Sequence, residues 1–159
     1  IIIDLSIWML RKGHKCGQKN SFWSRIETFD DVPLIMIELG SVDCEYEIPR
    51  LMRKCRFSTV GKAINAILDI YIQVIHKIRR KLPNATIVIH PVIPTNTLSS
   101  PLIFEFNNTL RIKAFENHIQ FLDIFSKYGP LDLATTDKSL IKYRSNLRKW
   151  LIINADNVL

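Results

Sequence analysis

Two short apolar runs with an amphipathic helix between them constrain the fold more than anything else in this chain. Residues 33–39 read Pro-Leu-Ile-Met-Ile-Glu-Leu and close on Gly40; residues 85–92 read Ala-Thr-Ile-Val-Ile-His-Pro-Val, with Pro91 and Pro94 at their end. Short runs rich in β-branched residues and bounded by Gly or Pro are strands buried on both faces, the pattern of a parallel sheet. Between them Val60, Ile64, Ile67, Leu68, Tyr71, Val74, Ile75, Ile78 and Leu82 return at helical spacing, with Ser58 or Thr59 available as the N-cap and Pro83-Asn84 as the stop. A connection of this length between two buried strands implies a parallel, right-handed crossover.

The pattern continues beyond the second strand. Phe106, Leu110 and Ala114 share one face of a helix expected over about residues 104–116, and residues 118–124 alternate as a third strand. Gly129-Pro130 breaks the chain before a final amphipathic stretch over about residues 138–150 and the apolar residues 151–153. At the other end residues 1–3 form a candidate strand and residues 21–29 a short helix. No repeat or low-complexity tract interrupts this order. The expected architecture is a single domain over residues 1–159, a three-layer α/β/α sandwich around a mainly parallel, flavodoxin-like sheet. Functional groups in such a sheet gather at the C-terminal ends of the strands. A length of 159 residues with 47% apolar and 23% charged side chains suits one core.

Composition removes several classes. The longest apolar runs fall far short of the ~20 residues that span a bilayer. Three cysteines, Cys16, Cys44 and Cys55, cannot all pair and lack metal-clip spacing, so an intracellular, reducing compartment is expected. No Gly-rich phosphate loop and no His, Cys and Asp set with ligand spacing occurs, so no cofactor and no metal is expected. The net charge of +7 gathers at Arg11, Lys12, Lys15 and Lys19, at Arg50, Arg53, Lys54 and Arg56, over residues 77–81, and at Lys142, Arg144, Arg148 and Lys149. Such clusters make RNA a candidate partner, although scattered Lys and Arg are also normal on solvated surfaces. Trp8, Trp23 and Trp150 fit core or interface anchors better than base-stacking platforms.

The strand ends carry a family resemblance. Gly40-Ser41-Val42-Asp43-Cys44 directly follows a buried strand and resembles the third sequence block of the SGNH (GDSL-type) hydrolases, in a variant branch reading Gly-x-Ile/Val-Asp-Cys. Residues 82–94 are similar to that family's next helix end and strand. Asn108-Thr109-Leu110 opening a helix, and Phe121-Leu122-Asp123-Ile124-Phe125, look like the elements that follow, while Asp156-Asn157-Val158-Leu159 falls where the family has Asp-x-x-His.

The resemblance implies ester hydrolysis through an acyl-enzyme, with a serine attacking, a histidine taking its proton and an aspartate orienting the histidine. Asp156 matches that aspartate, but Leu159 stands in the histidine's place. Ser6 is the early serine that follows an apolar run, and it lacks the Gly-Asp-Ser setting. Gly40 and Ser41 would form the oxyanion or substrate loop, with Val42 replacing the usual Asn donor; loss of one such donor costs about 3 kcal/mol of transition-state stabilisation. Asp43 can either brace its own turn or face a substrate, and Cys44 reads as a buried small apolar group. His14, His76, His90 and His118 read as surface or satisfied structural histidines. His90 stands out for its place beside Pro91 at a strand end. The expected function is therefore a non-catalytic structural or interaction subunit of a larger assembly, with other protein subunits as partners and RNA as a candidate component. The alternative is an acyl esterase or deacetylase whose first strand and nucleophile precede Ile1 and whose histidine follows Leu159.

Overall fold

The computed structural model describes residues 5–93 and 100–122. The candidate strand at residues 1–3, the C-terminal stretch and Asp156 lie outside the described residues. Helix α1 spans Gly17–Glu27, strand β1 Leu34–Ile37, helix α2 Ile48–Arg53, helix α3 Val60–Lys81, strand β2 Thr86–Ile89, helix α4 Ser100–Glu116 and strand β3 Gln120–Phe121. A 3₁₀ turn, Ile7–Leu10, precedes α1, and a π-helical turn, Asp43–Glu47, leads into α2.

The strands form one parallel sheet in the order β1-β2-β3. Leu34 pairs with Thr86 and Ile37 with Ile89, while Val88 pairs with Gln120 and Ile89 with Phe121. Strand β2, with a neighbour on each side, buries Ile87, Val88 and Ile89 in succession. Strand β1 departs from the expectation of burial on both faces. Ile35 and Ile37 point into the core, but Leu34 and Met36 are only half-buried, so the strand alternates.

Helix α3 follows its sequence pattern closely. Thr59, rather than Ser58, is the N-cap, its Oγ1 accepting the Lys62 N–H at 3.2 Å. Ile64, Ile67, Leu68, Tyr71, Ile75 and Ile78 are fully buried, each such aliphatic contributing about 1.5–3 kcal/mol relative to exposure. Helix α4 packs against α3. The described residues thus form a mixed α/β fold on a small three-stranded parallel sheet.

Helix α4 begins at Ser100, earlier than the expected Phe104, because Pro101 sits in the first turn, where its missing N–H breaks no helical bond. Asn108 and Thr109 consequently lie inside this helix and do not open it. The third strand starts later than expected, and residues 123–124 of the expected strand lie outside the described residues. His118 adopts φ +52° in the turn that closes α4, and pairing starts only at Gln120. Helix α1 likewise starts before residue 21 and ends at Glu27. Among the described residues no helix is long and apolar enough to cross a membrane.

Candidate functional site at the strand tips

The tip of β1 is held by backbone and ring contacts. Ile37 O accepts the His90 N–H at 2.9 Å and the Tyr71 hydroxyl at 3.2 Å. Gly40 follows at φ +122°, a left-handed conformation that only glycine adopts without strain. A Cβ there would lie 2.7 and 2.8 Å from Phe106 ring atoms and 2.9 Å from Val92 Cγ2. The Cα face of Gly40 is therefore closed by packed side chains. Its carbonyl accepts the Cys44 N–H at 2.9 Å and starts the helical segment. Four residues on, the Ile48 N–H bonds to Asp43 O across a five-residue step. Pro49, next in line, has no N–H to offer the α-helical ladder, which is where a π turn is tolerated.

Asp43 sits on this wide turn, fully buried. Its carboxyl receives the Ile7 N–H at Oδ2 (2.7 Å) and the Trp8 N–H at Oδ1 (3.0 Å). These are two of the orphan donors at the start of the 3₁₀ turn, and the Met9 N–H is shared between Ser6 O and Ser6 Oγ, each at 3.2 Å. Burial pushes the Asp43 carboxyl up from 3.8 to about 7 against the pull of the two N–H bonds, and Glu47 adds to the rise. Asp43 braces the N-terminal segment, distant in sequence, and its carboxyl also meets its own backbone N–H.

Ser6 and the Gly40 loop are thus brought together through Asp43, while Asp156 lies outside the described residues. The Ser6 side chain is 0% exposed. Among the described residues its Oγ contacts the Met9 N–H and no histidine. Ser41 is half-buried beside Gly40. Cys44 is buried as expected, and burial pushes its thiol up, away from the reactive thiolate form.

The β2 tip is equally committed. His90 is buried, with Nδ1 2.7 Å from Pro91 O and 3.6 Å from Glu38 Oε2. A carbonyl only accepts, so Nδ1 carries the proton. Burial lowers the His90 pKa, while Glu38 and the Pro91 carbonyl work in the other direction. Asn107 was not foreseen. Its Oδ1 accepts the Val92 N–H at 2.9 Å and its Nδ2 donates to Val92 O at 2.8 Å, fastening the chain just past β2 to α4. An asparagine beside Phe106 on the apolar side of a helix was the available signal, since a buried amide needs partners.

The described residues hold no group of three or more His, Cys, Asp or Glu that could bind a metal. What this site does with its polar groups is fasten chain segments to one another. Comparison with protein-family models, curated proteins and solved structures finds no match to the chain.

Proposed function

We propose that the chain is an SGNH-hydrolase-like, three-layer α/β/α domain acting as a non-catalytic structural or interaction subunit of a larger assembly. The observation that carries this reading is the state of Ser6: a fully buried hydroxyl spent on a cap, beside a Gly40 loop whose Cα face is filled by Phe106 and Val92. A nucleophile has to meet both substrate and base, and Leu159 at the Asp-x-x-His position removes the base that the resemblance would supply. The surface fits the same reading. Phe104 and Phe115 are 70% and 83% exposed three helical turns apart on α4, with Ile112 55% exposed between them, the kind of apolar patch that subunit contacts cover. Cys16, Cys44 and Cys55 are free thiols, as suits a reducing compartment. The test is incubation of the full chain with a fluorophosphonate probe and with short acyl nitrophenyl esters. No labelling and no turnover above buffer are expected; stoichiometric serine labelling overturns the reading.

A second reading, an acyl esterase or deacetylase, draws on one observation. Asp43 binds the two N–H groups directly after Ser6, so a serine at the start of a helical turn adjoins the Gly40 block. The same probe separates the two: label that Ser6→Ala abolishes would assign the nucleophile to Ser6.

A further inference from the structure

Two basic clusters far apart in the chain meet in space. Arg11, Lys12 and Lys19 from the N-terminal segment, and Lys77 and Arg80 from the end of α3, line one cleft of about 520 Å³, and among the described residues its wall holds no aspartate or glutamate. Glu27, which feels Lys77, is paired with Lys81 at 2.9 Å. None of Ser6, Gly40, Ser41 or Asp43 lines the cleft.

The cations divide by what already holds them. Lys19 Nζ donates to Arg11 O at 2.7 Å and His14 O at 3.1 Å, fixing the loop between the 3₁₀ turn and α1. Arg11 donates from Nη1 to Trp8 O at 2.6 Å, with its guanidinium 4.8 Å from the Trp8 ring centroid. Lys77 Nζ stands 3.8 Å from the Trp23 ring centroid. Lys12 and Arg80 are exposed and have no ion-pair partner among the described residues. Loop and helix thus hold like charges around a concave, partly apolar wall that includes Trp23 and Val74. Such an arrangement repels itself and attracts a polyvalent anion.

We propose that this cleft binds a phosphate-bearing ligand. Several cations converging from two elements suit a group with two or more negative charges and several acceptor oxygens, which a guanidinium can meet with a fork of N–H donors. The apolar wall leaves room for the organic part of such a ligand. The inference does not depend on whether the domain is catalytic. A free phosphate ester and a nucleic-acid phosphodiester share this chemistry.

The full chain is titrated with fluorescein-labelled octauridylate by anisotropy, and with pyrophosphate and ATP by calorimetry, at low salt and then at moderate salt. Saturable binding that weakens with salt is expected for at least one of these probes. The Lys12→Glu/Arg80→Glu double variant should weaken it at least ~10-fold, while the control Arg53→Glu/Lys54→Glu, at exposed positions outside the cleft, should change it less than ~2-fold. If the charge reversals disturb the circular-dichroism spectrum, Lys12→Gln/Arg80→Gln replaces them. Competition by ATP or pyrophosphate identifies the phosphate ester as sufficient, and competition by unlabelled oligonucleotide alone identifies the phosphodiester backbone. Absence of binding to all three probes, equal weakening in both double variants, or equal displacement by citrate overturns the proposal.

Discussion

Replacing Asp43 with asparagine tests the central contact of the strand-tip site through its pH dependence. The buried carboxyl is raised from 3.8 to about 7 by desolvation, so between those values the folded chain keeps a proton that the unfolded chain releases. Stability contributed by this group is therefore greatest below about pH 4, falls as pH rises through the window, and levels off above about pH 7. At about 1.4 kcal/mol per pH unit the full span is roughly 4 kcal/mol. Asparagine has no such slope. Its single carbonyl oxygen can serve the Ile7 or the Trp8 N–H but not both, and a buried N–H without an acceptor costs about 1–3 kcal/mol. Urea unfolding followed by far-UV circular dichroism, from pH 4.5 to 8, should find Asp43→Asn less stable than the parent at pH 4.5 by about that amount. The gap should narrow towards pH 8 as the parent comes to bury a charge. His90 titrates in both proteins and drops out of the difference. A gap that widens with pH would refute the reasoning, since it would mean that the ionised carboxylate, held by its two N–H donors, is the stabilising form.

Other substitutions probe the same region. Gly40→Ala forces φ +122° on a residue with a Cβ and drives that Cβ into Phe106 and Val92, so a loss of about 2–5 kcal/mol is expected; a shift of the urea midpoint worth less than 1 kcal/mol would contradict the packing at the tip. Asn107→Leu keeps the branched shape but strands the buried Val92 N–H and C=O, and should cost about 2–5 kcal/mol by the same measurement. Thr59→Ala removes the α3 cap and should lower stability by about 1 kcal/mol, with Thr59→Ser restoring most of it.

The β-α-β core was legible in the sequence because its signals are local. Strand runs bounded by Gly40 and Pro91, and a helix whose apolar residues return every three to four positions, report which face each element buries. The stripe from Ile64 to Ile78 and the inward Phe106, Leu110 and Ala114 follow directly. Boundaries were less legible: Pro101 reads as a breaker in isolation and is a tolerated first-turn residue in the fold. At the candidate site the sequence marked Ser6, Gly40, Ser41 and Asp43 as chemically interesting without saying what each would touch.

Those contacts belong to tertiary structure. Asp43 meets Ile7 and Trp8, 36 and 35 positions away in sequence. Asn107 meets Val92 across the β2–α4 connection, and Arg11 and Lys12 share a cleft with Lys77 and Arg80. Periodicity encodes the orientation of a side chain relative to its own element. Which groups come within hydrogen-bonding or Coulombic range across elements depends on how the helices and loops dock on the sheet, and no local pattern along the chain carries that.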